Sequence, residues 1–377
     1  MRFAESRDDD LAPLLLEVDR FAEGVIRPRA ARPELPMDAV ALSTVLEEAD
    51  ALGLAGADEA PIGLGLWEDL EDPRGPTRTV TVLVRLGREN PAVGLALHQR
   101  GLGRELVRAL GLVGHGHGPV LALPWGSIGV GRDALAALLA GAELPDDASA
   151  LLAAEYDPYG ARIVTMPQRF GALLVPWVDR TGTVGFDLHR RSGLRVDEAP
   201  QPHGFDELVT CRVAPTAPPE HRAIGGKAAE VFASMLRAES LARVALALGA
   251  LERAHELAKT YAATRTQGGS TIDRHDAVRL LLARGRSVRS TVAASLAAAA
   301  AQRPSAEATI GTFAMRAEAH PAIAAATNDA LQVFGGLGYM RDTGLEKIVR
   351  DTNHLRVVGG SPRELSLVVA EWERLHA

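Results

Sequence analysis

From Val231 to Arg265 the chain carries a single glycine and no proline. An unbroken run of that length reads as one helix of many turns. The texture persists beyond it. Asp273–Arg289 places Val278, Leu281 and Leu282 on one side, Ser290–Ala301 is alanine-rich, and Ala306–Arg316 and Pro321–Phe334 follow as further helices. Long helices with short connections must bury their apolar faces against one another, so this block is expected to form an antiparallel bundle. Composition agrees. Aromatic residues are 4% of the chain, and the apolar fraction of 47% is built mostly from Ala, Leu and Val, which suits helices packed closely through small side chains.

The rest of the chain divides by texture. Leu14, Val18, Phe21 and Val25 recur at helical spacing until Pro28 stops the run, and Asp38–Leu52 reads as a second helix, capped by Asp38 and ended by Gly53. Thr79–Leu86 is β-branched and apolar, and suits strand and helix equally; Ala92–Leu110 reads as helix. After Gly118 the pattern shortens. Ala161–Thr165, Ala172–Val178, Thr183–Leu188 and Glu207–Val213 read as strands, with Pro215, Pro218 and Pro219 as a linker out of them. The expected fold class is therefore mainly α with a β middle domain. Residues 1–118 form an N-terminal helical domain, 119–220 a small β domain and 221–377 a C-terminal helical bundle.

Charge and motifs exclude several functions. With 41 basic and 48 acidic residues the net charge is −7, and no basic arm is present, which argues against nucleic acid. Cys211 is the only cysteine, so neither an intrachain disulfide nor a cysteine-rich metal site is possible. The start, MRFAESRDDD, lacks an apolar signal core, and no stretch approaches the length of a membrane span; the expected location is cytoplasmic. His115 and His117 have no further ligands at metal spacing, so no metal is expected. Gly129–Ala134 fits a dinucleotide fingerprint only loosely and has no βαβ series around it. GxSxG, P-loop and HExxH patterns are absent.

Three ordered segments are more specific: AATRTQGGSTI at Ala262–Ile272, LQVFGGLGY at Leu331–Tyr339, and RDTNHLRVVGGSPREL at Arg350–Leu365. Together with the helix–β–helix order they resemble the acyl-CoA dehydrogenase family of flavoproteins, whose members show R-x-Q-F-G, then Q-x-F-G-G-x-G-Y, then R-D-A followed by E-G-T. The resemblance implies a β-barrel middle domain, a C-terminal four-helix bundle, and FAD held between the two, with part of the site supplied by a neighbouring subunit in a homo- or hetero-oligomer, dimer or tetramer. Carried over by position, Arg265 and Gln267 face the FAD diphosphate and adenosine end. Gln332, Gly335 and Gly336 approach the cofactor of the adjacent subunit, and Ser361 stands for the threonine of E-G-T. The chain departs from the pattern at Gly268, where an aromatic is usual, and at Ser240, where many members have arginine. The flavin-facing loop is not recognisable around Ala122–Ser127, nor is the aromatic-Ile-Thr near Val164–Met166.

The family reaction removes an α-proton while a hydride leaves the β-carbon of an acyl thioester, on coenzyme A or on an acyl-carrier protein. Electrons then pass to an electron-transfer flavoprotein or to oxygen. The carboxylate base needs an apolar setting that raises its pKa. Its usual position, the Glu of E-G-T, is Gly359 here. A minority of members, of the isovaleryl-CoA dehydrogenase type, place the base on a bundle helix instead, and that position corresponds to Glu239. The expected function is FAD-dependent α,β-dehydrogenation with Glu239 as base. The alternatives are a non-catalytic or half-site subunit paired with an intact sister chain, and a divergent flavin oxidase or monooxygenase.

Overall fold

The computed structural model describes residues 11–54, 65–112, 120–122 and 131–377. The expectations placed on His115 and His117, on the loop after Ala122 and on Gly129 and Val130 of the Gly129–Ala134 fingerprint lie outside the described residues. The first helix, α1 (Leu11–Phe21), runs through a π-helical stretch (Ala22–Ile26) into a single turn, α2 (Arg27–Arg29). Pro28 lies within that turn, so the helical path slightly outlasts the expected stop. In α3 (Ala39–Ala51) the Asp38 carboxylate accepts from the amides of Val40 and Ala41 at 3.0 and 2.8 Å, and Gly53 follows at φ +82°. Both were legible as cap and stop.

Only Asn90 separates α4 (Arg74–Glu89) from α5 (Pro91–Ala109). Its side chain accepts from the amides of Ala92 and Val93 at 2.9 and 3.1 Å and so starts α5. The ambiguous Thr79–Leu86 segment is helical. Burial made that choice, since Thr79–Val84 are all buried and tertiary packing overrides weak local preference. Residues 91–103 of α5 are buried on every side, as befits a helix threaded through the centre of a protein.

A pair of short helices, α6 (Arg132–Ala140) and α7 (Asp146–Glu155), lies between the first two strands. The strands are β1 (Val120–Ala122), β2 (Arg162–Met166), β3 (Ala172–Val178), β4 (Val184–Arg190), β5 (Leu194–Glu198), β6 (Val209–Pro215) and β7 (His221–Ile224). They form two sheets, ordered β1-β3-β4-β7 and β2-β6-β5. Leu173 and Val175 of β3 meet Val164, Met166, Cys211 and Val213 of the other sheet in one apolar cluster. The middle region expected as a small barrel is thus two sheets closed over a shared core. The other face of β3, Ala172, Leu174 and Val178, joins the helical core. Pro215 closes β6, and the expected proline linker is a turn into β7. Sequence reading missed β5 and β7 because both are largely exposed and carry little apolar alternation.

The C-terminal helices are α8 (Gly226–Thr264), α9 (Asp276–Ala300), α10 (Ala306–Phe334), α11 (Leu345–Val357) and α12 (Pro362–His376). A small hairpin, β8 (Thr266–Gln267) with β9 (Ser270–Thr271), joins α8 to α9. Two expected breaks are absent. Asp273–Arg289 and Ser290–Ala301 are essentially one helix, α9, and Pro321 lies inside α10. The lost backbone bond at Pro321 is outweighed by packing, because His320, Ile323 and Ala324 around it are buried. Close packing through small residues is realised between α4 and α8: a Cβ on Gly87 would stand 2.5 Å from the Leu246 carbonyl oxygen, and one on Gly249 2.7 Å from the Arg88 amide nitrogen.

Candidate active site

The middle of α8 is buried all round, from Met235 to Leu251. Polar residues there have no solvent to turn to and must find partners. Glu239 is fully buried. Its Oε2 accepts from Arg243 one turn on, and Arg243 also donates to the Glu239 carbonyl at 3.1 Å. The other carboxylate oxygen lies 3.3 Å from Nε2 of His98 on α5. His98 in turn accepts at Nδ1 from the Trp67 indole N–H at 2.8 Å. Burial alone would push the Glu239 carboxyl up. The Arg243 guanidinium and His98 more than offset it and hold the group at about 2. The apolar setting with a raised pKa, expected for a base at Glu239, is not what the structure contains: the carboxylate sits in a polar cage as a paired anion.

Arg316, from α10, governs the turn where the family acid is missing. It is fully buried and donates to the carbonyls of Val358, Gly359 and Gly360 at 2.6, 2.8 and 3.0 Å. These carbonyls follow the C-terminus of α11, where a cation is favoured by the helix dipole. Gly359 and Gly360 have φ of +67° and +100°, so the turn itself favours glycine. One turn along α10, His320 is buried with both ring nitrogens unpartnered. The sheets reach the same region through Thr165. Its carbonyl accepts from Gln99 of α5 at 3.0 Å, and its hydroxyl lies 3.0 Å from Thr210 and 3.5 Å from Nε2 of His354 on α11. Thus α5, α8, α10, α11 and β2 converge on one buried polar cluster.

Burial, with a contribution from Arg243, lowers His354 from 6.5 to about 4. Its folded pKa lies below the unfolded value, so the unfolded chain takes up the proton first. The stability it contributes is complete above about pH 6.5 and is lost as the pH falls through about 4. The stability difference between the native chain and a His354→Gln variant is therefore expected to be largest at neutral pH and to shrink across that window. Urea titrations at several pH values check this, and a difference independent of pH would contradict it.

The proposed cofactor residues lie elsewhere. Arg265 and Gln267 are exposed at the C-terminal end of α8, and Gln332 is exposed near the end of α10. Tyr261 stacks on Phe334 at 4.1 Å and ties these two helix ends together. Gly335, at φ +58°, and Gly336 have open space where a Cβ would stand. Five of the named residues therefore share one end of the bundle, roughly 40 Å along α8 from Glu239. Ser361 is not among them. It caps α12, its hydroxyl accepting from the Glu364 amide at 3.3 Å while its own amide donates to the Glu364 carboxylate at 2.6 Å. Sequence reasoning missed Trp67, His98, Arg243 and Arg316. Arg243 was findable, being four residues from Glu239 on a helix; the other three come from distant segments.

Two depressions open on the surface. One, of about 540 Å³, is lined by Leu138, Val184, Phe232, Ser305 and Thr309 among others; the second, of about 240 Å³, lies between Arg27, Asn90, Arg253 and Lys347. Among the described residues no group of three or more His, Cys, Asp or Glu side chains is placed to hold a metal ion, and no helix is long and apolar enough to cross a membrane.

Residues 228–372 match the family described as acyl-CoA dehydrogenase, C-terminal domain. The chain is 32% identical over 179 residues to a protein of Paraburkholderia xenovorans (strain LB400) named 3-sulfinopropanoyl-CoA desulfinase; the aligned part is 44% of this chain and 42% of that protein. The match thus spans about two fifths of that relative's length. Among solved structures, butyryl-CoA dehydrogenase from Megasphaera elsdenii superposes with a TM-score of 0.73 at 15% identity, covering 99% of both chains. A chain from the structure of the electron transferring flavoprotein of Acidaminococcus fermentans does so with a TM-score of 0.74 at 16% identity, covering 97% of this chain and 98% of that one. At such identities the structural likeness carries the fold. The C-terminal part of the chain is thus similar to the acyl-CoA dehydrogenase C-terminal domain, and the whole chain has the acyl-CoA dehydrogenase fold. The open, glycine-lined end of the bundle, with its exposed Arg and Gln side chains, has the chemistry to receive the phosphate and adenosine part of a nucleotide cofactor.

Proposed function

We propose that the protein carries FAD and acts on an acyl thioester, of coenzyme A or a carrier protein, by cleaving an anionic substituent from the β-carbon rather than by abstracting an α-proton. One observation carries this reading. The family acid is Gly359, and the candidate replacement, Glu239, is paired with Arg243 and held at about 2. A carboxylate so neutralised is poorly matched to taking a proton from carbon. Its surroundings are cationic instead. Arg243 and Arg316 are both fully buried, with the buried Glu239 and the half-buried Glu364 as the carboxylates acting on Arg316. A surplus of buried positive charge suits an acyl chain that carries a sulfinate or carboxylate. The relatives named 3-sulfinopropanoyl-CoA desulfinase support the same class. In such a cleavage the C–S bond breaks, the β-carbon takes a proton from water, and sulfite leaves with the water oxygen. No external electron acceptor is required.

In this reading Arg265 and Gln267 hold the diphosphate and adenosine end of FAD, and Gln332, Gly335 and Gly336 approach the cofactor of an adjacent subunit in a dimer or tetramer. FAD, when bound, supplies a redox-active ring. Arg316 fixes the Val358–Gly360 turn, Arg243 and Glu239 set the charge of the buried cluster, and the larger surface groove has room for part of the thioester arm.

The dehydrogenation reading, with Glu239 as base and an electron-transfer flavoprotein as acceptor, is favoured by the place of Glu239: fully buried and electrostatically coupled to the arginine that holds the Gly359 turn. One set of assays separates the readings. Purified protein is expected to be yellow and to release sulfite from 3-sulfinopropanoyl-CoA without an electron acceptor, with Glu239→Gln slowing release no more than about tenfold. Acceptor reduction by butyryl-CoA that Glu239→Gln abolishes would establish dehydrogenation instead. A colourless chain would point to a non-catalytic subunit.

A further inference from the structure

We infer that Trp67 is a positioning residue for Glu239, acting through His98, whose tautomer it fixes so that an N–H faces the carboxylate; this rests on the reading that Glu239 belongs to the site. The chemistry of the donor sets its direction. An indole N–H only donates, so His98 Nδ1, 2.8 Å away, must present its lone pair. The proton of the neutral imidazole then resides on Nε2, which lies 3.3 Å from the Glu239 carboxylate. The opposite tautomer would set N–H against N–H at Trp67 and a lone pair against the carboxylate at Glu239. Arg243 hydrogen-bonds the second oxygen, while the first stands in close contact with the His98 N–H without an aligned hydrogen bond, so the tautomer of His98 decides whether that contact is attractive.

The structure goes to some length to seat Trp67. The residue is fully buried and has φ +67°, in a region that bulky side chains rarely adopt. Such a conformation persists only where its surroundings over-determine it. Its amide donates to the Thr79 hydroxyl at 2.8 Å. Gly101, three residues after His98 on α5, leaves room for Leu66: a Cβ there would stand 2.7 Å from the Leu66 Cβ. Gly75 does the same for the far side of the turn, where a Cβ would lie 2.6 Å from the Asp69 carbonyl oxygen. The indole and imidazole rings meet edge to face, with centroids 5.5 Å apart. Two glycines, one hydroxyl and a strained backbone thus bring a single N–H to His98.

The test needs no substrate for its first part. In the holoprotein labelled with ¹⁵N-histidine, His98 (assigned by the loss of its signals in His98→Gln) is expected to show a protonated Nε2 and an unprotonated Nδ1 at neutral pH. Trp67→Phe keeps an aromatic ring but removes the donor, and is expected to shift His98 toward the Nδ1–H or doubly protonated form. A native His98 protonated at Nδ1, or a tautomer unmoved by Trp67→Phe, overturns the tautomer assignment. If Trp67→Phe does not fold, the native spectrum alone decides. The second part is kinetic. Trp67→Phe is expected to lower kcat about threefold, the loss of one ordinary hydrogen bond, with KM unchanged. A shifted tautomer with unchanged kcat overturns the positioning role. The tautomer signature stands whether or not sulfite release is found, so the failure of the functional reading and of the tautomer assignment are told apart.

Discussion

An Arg243→Met variant is expected to lose about 3–5 kcal/mol of stability, because removing one partner strands a buried charge. Glu239 has no access to solvent. Its depressed pKa depends chiefly on Arg243, with His98 assisting. Without the guanidinium, burial dominates, and the carboxyl is expected to titrate above its ordinary value rather than near 2. Two measurements check this. Urea unfolding at neutral pH reads the loss, and raising the acidity reads its cause. Protonation relieves the stranded charge, so the gap between native and variant proteins is expected to narrow as the pH falls toward 5. A double variant, Arg243→Met with Glu239→Leu, is expected to recover most of the loss, since a buried ion pair replaced by apolar groups of similar volume is often neutral or better. A single variant as stable as the native chain would show that Glu239 does not depend on this partner.

The second large effect concerns a glycine. On an exposed helix, Gly→Ala stabilises by about 1 kcal/mol. At Gly249 the sign is expected to reverse, with Gly249→Ala costing about 3 kcal/mol through overpacking. The reason is the approach of α4. A Cβ at Gly249 would enter the space of the Val84 carbonyl and stand 2.7 Å from the Arg88 amide nitrogen and 2.9 Å from the Gly87 carbonyl carbon. All of these are backbone atoms of α4, so no side chain can swing away and the two helices must separate. Because α8 carries Glu239 and Arg243, that separation is expected to disturb the site as well as the fold. Thermal unfolding of the purified variant checks it, and a raised midpoint would show that the α4–α8 contact is looser than it looks.

How much of this was legible in sequence varies with the range of the forces involved. Asp38 as a cap, Gly53 as a stop and the strand Ala172–Val178 were readable because each depends on a few neighbouring residues. The three C-terminal motifs were readable as family spacing. Pro321 was misread, since a local rule ends a helix there and only packing on both sides of it carries α10 through. The edge strands β5 and β7 were missed because their half-exposed residues lack a pattern. Glu239 was singled out as a position, but its environment was not foreseen. A carboxylate on an alanine- and leucine-rich helix looks as though it should be desolvated and basic. Arg243 lies on the same helix; His98 and Arg316 come from α5 and α10, and no local pattern announces them.

Local pattern was thus sufficient for most helices and the buried strands, for the order of the blocks and for the family resemblance, because periodicity, caps and motif spacing are properties of neighbouring residues. The meaning of Gly359 and Glu239 was decided by tertiary structure. Four segments far apart in the chain, bearing Trp67, His98, Arg243 and Arg316, meet only after folding. In the dry interior where they meet, the distance between charges governs which protons are held, and that distance is written in no single stretch of sequence.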